Sequence, residues 1–197
     1  MKCVIHGSGG VGGYYGGCLA RAGHEVFFIA RGAHLEAIQQ QGLSIKSAKG
    51  DFRIETPKSG ERCDPNFCPN LVIVAVKSWQ LPEITKEIKN YCTPSTLILP
   101  LQNGADASDI LADTLGPERV LGGLTKIFSK IEAPGVINHF TGATYIGFGE
   151  YFQDPQFQNA PDSLSERCRI LEKELDSTPG IDAEAFADIQ KELWRKM

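Results

Sequence analysis

No apolar run in these 197 residues approaches the roughly 20 that a membrane-crossing helix needs. Basic residues are not in excess: 20 Lys and Arg against 24 Asp and Glu leave a formal net charge of −4, which offers no footprint for nucleic acid. No secretory leader is expected either. Met1-Lys2-Cys3-Val4-Ile5-His6 is short and polar and runs straight into glycines, so a cytoplasmic protein is expected. The six cysteines (Cys3, Cys18, Cys63, Cys68, Cys92, Cys168) include no C-x-x-C pair, and Cys63 and Cys68 have no nearby histidine. Reduced thiols and no metal site are therefore expected. There is no internal repeat and no low-complexity tract. What remains is an ordinary globular balance, 42% hydrophobic and 22% charged, in a chain long enough for one large domain or one domain plus the start of another.

The hydrophobic pattern alternates between strands and helices. Cys3 to His6 reads as a buried strand, Gly12 to Ala22 as a helix closed by Gly23, Glu25 to Ala30 as a second strand, and His34 to Gln41 as a short helix. Leu43 to Ile45 and Phe52 to Ile54 look like a hairpin. Leu71 to Val76 and Thr96 to Leu101 are apolar enough for strands covered on both faces, with amphipathic helices at Leu81 to Tyr91 and Ala107 to Leu115 between and after them. From Val120 onward the pattern changes. Short runs at Val120 to Leu124, Gly135 to Phe140 and Thr144 to Phe148 suggest an antiparallel meander on the edge of the parallel sheet. Residues 151 to 162 read as a loop, and Ser163-Leu-Ser-Glu166 as a capping box opening a helix with Leu164, Cys168, Leu171 and Leu175 on one face. The fold class is α/β: a Rossmann-type, mostly parallel sheet with helices on both faces.

The strongest motif is Gly7-Ser8-Gly9-Gly10-Val11-Gly12, a G-x-G-x-x-G with a strand before it and a helix after it. Gly7 permits the tight turn, Gly9 lets a pyrophosphate approach the backbone, and Gly12 lets the helix pack close to the strand. The helix N-terminus offers unpaired N–H groups to phosphate. A P-loop is excluded because no G-K-[ST] follows. An NAD site normally carries Asp or Glu at the end of the second strand, but here Arg31 follows EVFFIA. A guanidinium can grip a 2′-phosphate through charge-assisted bonds worth roughly 1.5–3 kcal/mol, so the expected cofactor is NADP(H).

Two further strands end in polar residues, Lys77 after LVIVAV and Gln102-Asn103-Gly104 after TLILPL. Each is equally a solvated or turn-forming residue and a ligand contact. Glu184 to Met197 has a helical pattern with Phe186, Ile189, Leu193 and Met197 on one face. Lys196 lies roughly 20° from Ile189 at 100° per residue, at the border of that face. Such a lysine either snorkels or presents an ammonium to a cleft. The apolar stripe continues to the terminus without a stop signal, so apolar surface is expected to be exposed there and a further segment to be missing.

Together, GSGGVG, Arg31, VAVKSWQ at Val74 to Gln80, LQNG at Leu101 to Gly104 and ELWRK at Glu192 to Lys196 resemble the ketopantoate reductase (2-dehydropantoate 2-reductase) family over the whole chain. The resemblance implies NADPH-dependent reduction of ketopantoate to pantoate. Lys196 then corresponds to the proton-donating lysine, Lys77 and Asn103 to cofactor contacts, and Asn103 and Lys196 to substrate contacts. It also implies that residues 1–180 form the NADP(H)-binding domain, and that 181–197 begin a helix leading to a C-terminal helical domain absent from this chain. Reduction of another branched 2-keto acid, or a non-catalytic NADP(H)-binding module, stays open as an alternative. The expected partner is a small 2-keto acid, with no nucleic acid and no membrane. The oligomeric state, including a homodimer, is left open.

Overall fold

A computed structural model describes residues 1–104, 106–151 and 163–196. Strands β1 (Lys2–His6), β2 (Glu25–Ile29), β5 (Lys58–Gly60), β6 (Leu71–Val74) and β7 (Leu97–Pro100) form one sheet in the order β5-β2-β1-β6-β7. All four pairings are parallel, so crossover connections are required and both faces are covered. On one face Val4, Val72, Val74 and Ile98 pack under α3 (Leu81–Lys89) and α4 (Ala107–Leu115). On the other, Cys3, Ile5, Ile73 and Leu99 meet the core around α1 (Gly10–Arg21). The strand order reverses direction at β1/β6, which is where a doubly wound sheet opens a crevice for ligands.

The second sheet is where the structure adds most to the sequence. Leu43 to Ile45 and Phe52 to Ile54 do pair antiparallel, within β3 (Leu43–Ser47) and β4 (Phe52–Ile54), but β3 also runs parallel to β9 (Val136–Glu150). In place of three short strands there are two long ones, β8 (Leu121–Ala133) and β9 (Val136–Glu150), turned at Gly135 with its φ of +75°. The pair starts beside the edge of the parallel sheet, through a bridge between Ile98 and Val120, and then builds its own sheet β10-β9-β3-β4, where β10 is Asp182–Phe186, with β8 on the far edge of β9. The sequence breaks the pattern because register shifts near Lys126, Phe128 and Ile131 interrupt the alternation that a regular strand would show.

Helix α1 lies between the two sheets. A Cβ placed on Gly16 would come within 2.6 Å of Ile5 and Phe28 of the first sheet, and one on Gly13 within 2.8 Å of Ile137 of the second. The glycines thus thin the helix so that both sheets can close on it. Its tyrosines are buried, and the Tyr15 hydroxyl bonds Thr125 Oγ1 at 2.6 Å, tying the helix to β8. Gly23 ends it with a φ of +92°, the conformation expected of a glycine just past a helix.

The chain end departs from the expected single helix. Asp182–Phe186 is a strand, β10, parallel to β9, and the helix α6 spans Ile189–Lys196. Phe186 therefore belongs to the strand, where edge pairing with β9 outweighs the helical spacing. Ile189 and Leu193 are buried against Leu124 rather than exposed, while Met197 is outside the described residues. Helix α5 (Glu166–Asp176) is capped by Ser165, whose Oγ accepts from the Cys168 amide at 3.2 Å, so the cap lies two residues beyond Ser163. Cys168, Leu171 and Leu175 face the core as their spacing predicts. Of the loop expected at 151 to 162, residues 152–162 are outside the described set. No helix among the described residues is long and apolar enough to cross a membrane.

If α1 is a spacer of fixed thickness, Gly16→Val must push Ile5 and Phe28 apart. Overpacking of this kind costs about 1–3 kcal/mol. Urea unfolding should show that loss, and a variant as stable as the parent would mean that the two sheets can separate freely.

Candidate functional site

The carboxyl ends of β1, β2, β6 and β7 carry most of the residues singled out in the sequence. After β1, Gly7 adopts a φ of +102°, which a side chain would strain. A Cβ on Gly12 would sit 2.3 Å from the Gly7 carbonyl oxygen, so the helix approaches the loop as closely as expected. Gly10 has a role the sequence did not disclose: its Cβ would lie 2.6 Å from the Ser129 carbonyl oxygen, so β8 runs against the loop. A Cβ on Gly9, by contrast, meets nothing within 4 Å. Ser8 is 2% exposed, and its Oγ has no hydrogen-bond partner among the described residues. Val11 is partly buried against the core. An open approach at Gly9, an unpartnered hydroxyl beside it and the α1 N-terminus make a loop that fits a dinucleotide pyrophosphate.

His34, which the sequence offered only as the start of a helix, pins this loop. It stands in the first turn of α2 (Gly32–Gln41), where its Nε2 lies 2.8 Å from the Ser8 carbonyl oxygen and its Nδ1 accepts from the Gly135 amide at 3.0 Å. A carbonyl on one side and an N–H on the other demand the neutral tautomer with hydrogen on Nε2. Burial lowers its pKa, and the Ser8 carbonyl opposes that shift. One signal was available: α2 starts where β2 ends, next to the loop after β1, so a polar side chain in its first turn can reach back to that loop.

Arg31 lies at the end of β2, about half exposed, with no carboxylate in the adjacent residues of its strand. Beneath it, His6 is buried, with Nδ1 3.0 Å from the Tyr91 hydroxyl. Burial, and then the charge of Arg31, lower the His6 pKa to about 4.

At the ends of β6 and β7 the glutamines do the positioning. Gln102 is buried and donates from Nε2 to the carbonyls of Val74 and Val76, at 3.0 Å each, fixing the backbone that leads to Lys77. Gln80 accepts from the Lys77 amide at 3.1 Å. The Lys77 side chain itself is exposed.

Asn103 meets Lys196. The Lys196 Nζ donates to Asn103 Oδ1 at 3.1 Å, joining the end of β7 to the last turn of α6 across 93 positions. Partial burial, and then the nearby Lys126 charge, lower the Lys196 pKa. A cavity of about 380 Å³ lies between Gly104, Asp109, Gln190 and Trp194, and Lys196 itself lines a smaller one of about 80 Å³ with Lys126 and Tyr145. The structure thus brings Lys196 and Asn103 into contact, and sets the glycine loop and Arg31 at neighbouring strand ends of the same sheet.

The sequence profile described as ketopantoate reductase PanE/ApbA matches residues 3–151. The chain belongs to this family. An uncharacterized oxidoreductase, YkpB, of Bacillus subtilis is 32% identical over 200 residues, covering 100% of this chain and 61% of its own. A 2-dehydropantoate 2-reductase of Mesorhizobium japonicum is 28% identical over 218 residues, covering 100% and 63%. The crystal structure of 2-dehydropantoate 2-reductase from Geobacter metallireducens superposes with a TM-score of 0.87 at 30% identity, over 100% of this chain and 61% of that one. The chain therefore spans about six tenths of the length of these relatives.

Two expectations follow from His34 and His6. His34→Leu removes both the Ser8 and Gly135 contacts, and leaving buried partners unmade costs about 1–3 kcal/mol. Thermal unfolding should register the loss, and amide exchange at Gly135 should accelerate; unchanged exchange would show that His34 does not hold this turn. His6, with its folded pKa below the unfolded value, takes up a proton more readily when unfolded. Its contribution is complete above about pH 6.5 and is lost as the pH falls toward about 4. Stability should therefore decline between those values in the parent and less steeply in His6→Asn, and equal slopes would contradict this.

Proposed function

We propose that this chain is the NADP(H)-binding part of a reductase that converts 2-dehydropantoate to pantoate, the first step being hydride delivery to the keto carbon. Residues 1–180 form the cofactor-binding domain in this reading. Residues 181–197 lead into the further region that the relatives possess, with β10 completing the sheet and α6 carrying Lys196 to the site. The observation that carries the reading is the 3.1 Å bond between Lys196 Nζ and Asn103 Oδ1, which gathers an ammonium and an amide at the carboxyl edge of a dinucleotide-binding sheet. Family membership and relatives named 2-dehydropantoate 2-reductase support this choice of substrate.

In this arrangement Gly7, Ser8, Gly9, Gly10, Val11 and Gly12 cradle the pyrophosphate, Arg31 receives the 2′-phosphate, and Lys77 and Asn103 contact the cofactor. When bound, the reduced nicotinamide supplies the hydride. Lys196 faces the carbonyl oxygen of the substrate, stabilises the negative charge that develops there and delivers a proton to it. Its lowered pKa moves the ammonium toward the range in which a general acid releases its proton efficiently. Asn103 holds the ammonium through its Oδ1 and contacts the substrate as well. Another branched 2-keto acid would use the same residues, and the relative named simply as an oxidoreductase keeps that reading in play.

The test uses the protein extended by the region that its relatives carry. Lys196→Ala should lower kcat by something on the order of 10²–10⁴-fold, the scale of a lost general acid. kcat/KM should fall with it, because the charge on oxygen appears only as hydride arrives. NADPH affinity should change far less. Steady-state rates with 2-dehydropantoate and with other branched 2-keto acids separate the two substrate readings. A kcat within two- or threefold of the parent on every substrate would sink the role given to Lys196.

A further inference from the structure

Arg31 does not stand alone at the end of β2. Its Nη2 lies 3.8 Å from Glu83 Oε1 and 3.9 Å from Glu87 Oε1, both on α3. These are ion-pair distances rather than hydrogen bonds, so the guanidinium keeps its donors free while its charge is opposed. Glu87 reaches inward as well. Its Oε2 is buried without a hydrogen-bond partner among the described residues and faces His6 Nε2 at 3.8 Å. His6 is neutral near pH 7, since its pKa is lowered to about 4, so it does not cancel the Glu87 charge. One guanidinium at +1 and two carboxylates at −2 leave this corner with a formal charge of −1.

That balance matters to the cofactor. A 2′-phosphate that docks on Arg31 brings its negative charge close to both carboxylates, whereas an unphosphorylated ribose brings none. A carboxylate there is also the acceptor that a ribose 2′-hydroxyl seeks. We infer that Glu83 and Glu87 are specificity-determining residues that oppose the charge of Arg31 and hold down the preference for NADPH over NADH. The inference rests on the reading that Arg31 receives the 2′-phosphate.

The experiment measures dissociation constants of NADPH and NADH for the parent chain, Glu83→Gln, Glu87→Gln and Arg31→Ala by fluorescence titration. Glutamine keeps the size of each side chain and removes its charge. Each glutamine variant should tighten NADPH by about two- to fivefold, the scale of a partly exposed ion pair, and move NADH less. The gain should shrink in 1 M salt, where the Debye length is about 3 Å. Weaker NADPH binding in the glutamine variants would overturn the inference, because the carboxylates would then be organising Arg31 for phosphate. An unchanged ratio of the two constants would overturn it equally. Arg31→Ala separates the two layers. If it collapses the NADPH preference while the glutamine variants do nothing, the inference fails and the role of Arg31 stands. If Arg31→Ala leaves the ratio untouched, or the parent binds neither dinucleotide, the underlying reading fails and takes this inference with it.

Discussion

The thickness of α1 is the constraint on which the rest of this structure depends. Two sheets close on one helix, and they can do so because the faces that meet them are glycines: Gly12 and Gly16 toward Ile5 and Phe28, Gly13 and Gly17 toward Ile137 and Ile45. The cost is intrinsic, since glycine inside a helix is less favourable than alanine by roughly 0.5–1 kcal/mol per position. Burial of the surrounding aliphatic and aromatic side chains offsets it, with Ile5, Phe28, Ile45 and Ile137 all in one core. The same close approach places the helix N-terminus against the Gly7 turn and sets β8 beside Gly10. Packing in the core and the shape of the glycine loop are thus one problem with one solution.

Much of the first sheet was legible because its signals are local. The strands around Val4, Phe28, Ile73 and Leu99 are short apolar runs bounded by turn residues, and Gly7 to Gly12 sits where a β1–α1 turn must. The second sheet was harder to read, because its signals are long-range. β3 was seen as half of a hairpin, but its pairing with β9 joins Ser44 to Val136, a relation that no window of sequence contains. Lys58–Gly60 is too short and too polar to announce a strand, and becomes one because Phe27 to Ile29 present an unpaired edge. Asp182–Phe186 was hidden for the same reason, since its partner is Tyr145 to Gly149.

The site divides along the same line. The positions of the glycines and Arg31 were legible because each lies within six residues of a strand end. His34 and Gln102 were not, because what matters about them is which backbone groups they touch: Ser8 and Gly135 for one, Val74 and Val76 for the other. The carboxylates that face Arg31 were not legible in the sequence for a related reason. Inspecting the neighbours of Arg31 along the chain finds no carboxylate, yet Glu83 and Glu87 arrive from α3, more than 50 positions away.

Lys196 reaches Asn103 by a route that runs through the second sheet. β10 adds in parallel to β9, and its last residue, Phe186, places its carbonyl against Gly149, where a Cβ would lie 2.2 Å away. Gly149 is paired with Gly122 on β8, and a Cβ on Gly122 would meet Ile189 at 2.7 Å. This glycine pair leaves the hollow in which the start of α6 is seated, with Leu193 one turn further on packed against the same cluster as Leu124. Once Ile189 and Leu193 are buried, Lys196 follows three residues later on the adjoining face of the helix and turns to the end of β7. The lysine is therefore located by apolar packing on the second sheet, while the glycine loop follows the first strand of the other. The two halves of the site are held in register by the helix between them.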